Sequence, residues 1–145
     1  MQWKTGLALL SILVACAGTG HAADGDGFKD LREHLLAGDR TTSVVELDHC
    51  QQTAGDKVTA HGLTGGYVID GFISKAEPDE QIVYSHMHPT IRKETPVLEF
   101  IRYRIHATGT AIVTTQSISP KSFEPVGSGR TFECRLGDGL RFVYR

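Results

Sequence analysis

The sequence lacks most of the patterns that name a chemistry. There is no G-x-S-x-G elbow, since Gly127-Ser128-Gly129 lacks the spacing. There is no phosphate-binding loop and no G-x-G-x-x-G between a strand and a helix; Gly25-Asp26-Gly27-Phe28 is too short. Positive charge is not in excess: the formal balance is −2, which excludes a nucleic-acid binder that works by neutralising phosphates. Sixteen Gly and five Pro are too few for a collagen-like or low-complexity chain. No internal repeat is present. At 145 residues the chain is too short for a two-domain enzyme with its own cofactor module. These absences lead us to expect neither a catalytic site nor a cofactor.

Long apolar runs are also missing. Gly6–Cys16 is broken only by Ser11 and is too short to cross a bilayer, which needs about 20 apolar residues. It follows Lys4 and precedes Gly20-His21-Ala22, with small residues at the two positions a signal peptidase reads. Residues 1–22 therefore read as an export signal, and 23–145 as one domain without a transmembrane segment. Leu13-Val14-Ala15-Cys16 also fits a lipobox, in which Cys16 carries a lipid and Ala17–Gly27 becomes a tether. Either way the protein is expected in the periplasm or outside the cell. Removing residues 1–22 takes Lys4 alone among the charged side chains and moves the formal balance from −2 to −3.

Cysteine is scarce. Of three, Cys50 and Cys134 remain after either processing step, if a lipidated Cys16 is set aside. In an oxidising compartment an even pair is most simply a disulfide. The alternative is a reactive or metal-binding thiol pair, but there is no C-x-x-C and only His49 stands beside Cys50.

What is present is mostly strand. One helix is expected over Phe28–Ala37, with Phe28, Leu31, Leu35 and Leu36 on its apolar side, Asp24 or Asp26 at its start and Gly38 at its end. After it come strands at Ser43–Leu47, Gly66–Ser74, Gln81–His88, Val97–Ile105, Thr110–Ile118, Thr131–Leu136 and Leu140–Tyr144, with a further short one at Lys57–Ala60. Seven or eight short strands joined by turn residues predict an antiparallel barrel or sandwich. For the last two strands, a three-residue Gly137-Asp138-Gly139 loop pairs Leu136 with Leu140, Cys134 with Phe142 and Phe132 with Tyr144. That register makes one face wholly apolar, puts Cys134 in the core and asks Gly139 to be left-handed. The longest loop is Ser119–Arg130, where Phe123 either pins the loop to the body or lines a binding surface.

Histidine is the unusual residue, with seven in the chain. On a strand, His86-Met87-His88 puts both imidazoles on one face. That spacing suits two ligands of one Zn²⁺ or Cu²⁺ ion, with His61, His106 or a carboxylate as a third. The alternative is two solvated histidines at the end of a strand, before a turn at Pro89. Arg102, Arg104 and His106 share a strand face, either solvated or turned to an anionic ligand.

The layout resembles the VirK protein family. The residues that carry the resemblance are the helix Phe28-Lys29-Asp30-Leu31-Arg32-Glu33-His34-Leu35-Leu36-Ala37-Gly38 and the strand Val44-Val45-Glu46-Leu47-Asp48-His49-Cys50. Gly65-Gly66-Tyr67-Val68-Ile69-Asp70, Glu99-Phe100-Ile101-Arg102-Tyr103-Arg104 and Phe132-Glu133-Cys134-Arg135-Leu136-Gly137-Asp138-Gly139 follow in order. The resemblance implies a small exported bacterial protein linked by name to virulence regulons. It brings no catalytic residues, because none are defined. The expectation is thus a non-enzymatic binding or host-interaction module with a protein or small-molecule partner. The alternative is a periplasmic metal-binding protein using His86 and His88.

Overall fold

The computed structural model describes residues 24–58 and 62–145. Residues 1–22, expected to be an export signal, lie outside the described residues, Cys16 among them, and so does His61. A helix, α1 (Asp24–Ala37), is followed by β1 (Thr41–Glu46), a short 3₁₀ turn (Leu47–His49), β2 (Gln51–Ala54), β3 (Thr64–Val68) and β4 (Phe72–Lys75). Then come β5 (Gln81–Arg92), β6 (Thr95–His106), β7 (Thr110–Ile118), β8 (Arg130–Arg135) and β9 (Leu140–Tyr144). Two antiparallel sheets face each other as an open sandwich, ordered β3-β1-β9 and β2-β8-β7-β6-β5-β4.

The helix begins earlier than its apolar pattern indicates, so Asp24 and Asp26 lie within it. Its end is as expected. Gly38 takes φ +82° and closes a double reverse bond, in which the Gly38 N–H donates to Leu35 O and the Asp39 N–H to His34 O. Phe28, Leu31 and Leu35 are buried, whereas Leu36, expected beside them, is 63% exposed. The buried stripe covers the end of the sandwich where Ile82, Ile105, Ala111 and Leu136 lie. Arg32 ties the helix to the β4–β5 turn through a 2.8 Å ion pair with Glu80.

Three expectations about strands are corrected. The run Gly66–Ser74 is two strands in different sheets. The chain crosses at Asp70-Gly71, the side-chain phase changes, and Ile73 is 70% exposed rather than on the side of Tyr67 and Ile69. Lys57 and Val58 belong to no strand; β2 lies earlier, along β8, and residues 59–60 fall outside the described set. Pro89 ends nothing. The fifth strand runs on to Arg92 and turns at Lys93-Glu94, both with positive φ, before Thr95 pairs back with Arg92. That two-residue turn has the twist a hairpin needs without its usual Asn-Gly. β4 pairs only with residues 81–84, so one edge of β5 is free at Pro89, where a proline is tolerated.

The expected final hairpin is also corrected. β8 pairs with β2 and β7, and β9 pairs with β1 in the other sheet, so Cys134 does not face Phe142 nor Phe132 face Tyr144 across a ladder. Only an isolated Leu136–Leu140 bridge joins them. The left-handed residue is Gly137, at φ +84°, not Gly139. Gly139 is needed for another reason: a Cβ there would stand 2.7 Å from Cys50 Sγ. The apolar side of β8 is buried as expected through Phe132, Cys134 and Leu136. Cys134 is bonded to Cys50 with Cα atoms 4.4 Å apart, joining the start of the six-stranded sheet to the end of β8. Beside that bond, His49 and Asp138 pair at 2.9 Å, and this hydrogen bond raises the His49 pKa above its usual value.

Candidate functional site

The inner face of the six-stranded sheet can be followed row by row from its ladders. Nearest the helix, Ile82, Ile105, Ala111 and Cys134 lie side by side on β5, β6, β7 and β8. The next row is Tyr84, Tyr103, Val113 and Phe132, all buried. Tyr84 and Tyr103 stack at 4.9 Å, and Ser43 of the facing sheet shares a 3.0 Å hydrogen bond with the Tyr84 hydroxyl. The rows then turn polar: His86, Ile101, Thr115 and Arg130, followed by His88, Glu99 and Ser117.

Strand length explains what covers these rows. β5 and β6 have twelve residues each, which at about 3.3 Å per residue is some 40 Å. β1 has six residues and β3 and β9 five, about half that length. The smaller sheet therefore covers the apolar rows and leaves the polar ones beneath an open cleft of about 1040 Å³. One wall carries His86, His88, Glu99, Ile101 and Tyr103. The facing wall carries Val45, Leu47, Leu63, Gly65, Gly66 and Tyr67, with Lys57 and Val58 from the β2–β3 connection.

The polar groups in this cleft form two sets. In the first, Tyr67 of the smaller sheet stacks on His86 at 4.2 Å, and His86 on His88 at 5.4 Å, a ladder of rings across the cleft. The Tyr67 hydroxyl is buried without a hydrogen bond of good geometry, and burial raises its pKa well above the usual phenol value. In the second, Arg92 donates to Ser117 Oγ at 2.7 Å, and Ser117 donates to Glu99 Oε2 at 2.8 Å. Arg130 reaches the Asp56 carbonyl through Nε at 3.3 Å.

His86 and His88 do share one face, as their spacing requires, but it is the inner face and not a solvated strand end. His106 lies far from them, at the helix end of β6 and on the other face. Among the described residues no three His, Cys, Asp or Glu side chains converge to hold a metal ion. Glu99, directly across the ladder from His88, is engaged by Ser117. Arg102 and Arg104 are exposed on the outer face. Phe123 is 68% exposed and pins nothing; its loop is held by backbone bonds from Ser119 to Glu124 and from Val126 to Ser117.

Sequence reasoning missed Glu99, Ser117, Arg92, Arg130 and Tyr67 as parts of one site. One signal was available. Alternation along β6 puts Glu99 on the same side as Val97, Ile101 and Tyr103, and a carboxylate among core positions calls for a partner.

The model of the VirK protein family matches residues 25–123 of this chain. The chain belongs to the VirK family. The uncharacterized protein y4wH of Sinorhizobium fredii is 32% identical over 116 residues, which is 79% of this chain and 78% of that protein. A crystal structure of lpg1832, a VirK family protein from Legionella pneumophila, superposes with a TM-score of 0.69 at 19% identity. The superposition covers 80% of this chain and 94% of that one, and it shows a shared fold. Of the cleft, the VirK match spans β5, β6, β7 and the ring ladder; Arg130 and Phe132 lie beyond it.

Proposed function

We propose that this VirK-family protein is an exported, non-enzymatic binding protein that serves in host interaction and holds a small molecule between its two sheets. One observation carries the reading: a cleft of about 1040 Å³ with an apolar wall facing a row of convergent polar side chains. A sandwich built only for stability would extend its smaller sheet over the apolar side chains that this cleft leaves open to water. Strand β3 keeps it open at Gly65, which pairs with inward-facing Val45 and puts no side chain into the cleft. The export signal at residues 1–22 and the Cys50–Cys134 bond support a place outside the cytoplasm. Binding is preferred to turnover because the chain has none of the nucleophile or phosphate-loop patterns of the common enzyme classes.

The test is to isolate the protein under native conditions from the periplasm and medium of its own host. A bound compound is then sought by native mass spectrometry. A compound at near one equivalent is expected in the wild-type protein and lost from a Gly65→Trp variant of unchanged circular dichroism. Recovery of the protein only from the cytoplasm, with its N-terminal segment intact, would overturn export. Failure of every preparation and of a broad small-molecule thermal-shift screen to show binding would overturn the cleft reading.

A further inference from the structure

We propose that the cleft takes an amphipathic organic anion, an acidic head on an apolar body. This deepens the reading above and rests on it. The chain as a whole is acidic, at −2. The cleft has the opposite sign: Lys57, Arg92 and Arg130 line it against one carboxylate, Glu99. That carboxylate already accepts a hydrogen bond from Ser117, whose hydroxyl also takes one N–H of Arg92. A guanidinium has five N–H donors, so the Arg92 fork keeps donors for a carboxylate or phosphate. Arg130 likewise gives its Nε–H to the Asp56 carbonyl, which leaves the paired ends of its fork. In a half-enclosed site such cations act more strongly on an anion than they would on an open surface.

The rest of the cleft suits the body of such a molecule. Val45, Leu47 and Leu63 form a continuous apolar wall, and Ile101 and Phe132 face them from the larger sheet. Gly65 is the clearest sign of reserved space. It pairs with buried Val45 and so points inward, yet a Cβ built there would meet only Val45 Cγ1, at 3.7 Å. Its φ lies outside the left-handed region, so the backbone does not demand glycine. Glycine here leaves volume over the polar rows.

The test uses the exported protein and a dansyl-labelled fatty acid as the fluorescent probe. Oleic acid, oleyl phosphate and the neutral oleyl alcohol compete for it. The expectation is displacement by both anions, with the alcohol weaker by about tenfold or more, the scale of one charge-assisted hydrogen bond. The stronger of the two anions identifies the head as carboxylate or phosphate. Raising salt from about 0.05 to about 0.5 M should weaken the anions and leave the alcohol unchanged. An Arg92→Gln/Arg130→Gln variant should lose about tenfold for the anions only. If the alcohol competes as well as the acids, and salt has no effect, the anionic head is refuted while binding in the cleft stands. If the probe does not bind, or binds Gly65→Trp and wild type alike, both this inference and the cleft reading fail. The competition and salt series need only the wild-type chain, so a variant that misfolds does not remove the test.

Discussion

Replacing both members of the Cys50–Cys134 bond with alanine perturbs the unfolded chain more than the folded one. In the native state β2 lies along β8, so Cys50 stays beside Cys134 with or without the bond. In the unfolded state the bond closes a loop with a sequence separation of 84, and the loop-closure relation converts this to about 4.5 kcal/mol at room temperature. A domain of roughly 120 residues has an unfolding entropy near 0.25 kcal/mol/K, so the melting temperature should fall by about 18 °C. With a urea slope of about 1.5 kcal/mol/M, the midpoint should fall by about 3 M. Typical domains are stable by about 5–15 kcal/mol, so the variant stays folded, by a narrow margin if the parent lies at the lower end of that range. Urea melts of the oxidised protein, the reduced protein and the double variant separate loop entropy from the loss of sulfur packing at buried Cys134. A midpoint shift below about 1 M on reduction would refute the loop-entropy reasoning.

Three further outcomes are expected. Gly139→Ala should destabilise by roughly 1–3 kcal/mol, because the new methyl meets Cys50 Sγ at 2.7 Å and His49 O at 3.0 Å; a urea midpoint equal to wild type would contradict that contact. Lys93→Asn with Glu94→Gly should stabilise by about 1 kcal/mol by relieving two positive φ values in the β5–β6 turn; a lower melting temperature would show that the turn is held by its present side chains. The four tyrosines should resist ionisation: burial pushes Tyr103 and Tyr144 up to about 12 and Tyr67 and Tyr84 well above 10. Unfolded phenols ionise near 10, so the native state holds more protons above that pH and stability falls as pH rises past it. Phenolate absorbance should therefore appear together with loss of circular dichroism, and a phenolate signal near pH 10 in the folded protein would be inconsistent with this burial.

Particular residues show how far the sequence could be read. Gly38 ends the helix as composition predicts, because the reverse bonds of that cap need only local geometry. Cys134 is core-facing because alternation along β8 suffices to place it with Phe132 and Leu136. Pro89 misled, since a proline blocks a ladder bond only where a neighbour exists, and β4 is too short to provide one there. Gly66–Ser74 misled because its alternation is nearly continuous, while the change of sheet happens in two residues.

The mainly-β class, the helix after residue 23, the cysteine pairing and the shared face of His86 and His88 are legible in the residues alone. Each follows from local periodicity or from counting. It takes the folded chain to show that β8 and β9 part into different sheets, that the long β5–β6 hairpin outruns its cover, and that its polar rows turn inward under a cleft. A period of two says which side chains share a face. It does not say which sheet a strand joins or how far the opposing sheet extends, because those depend on pairings between residues distant in the chain.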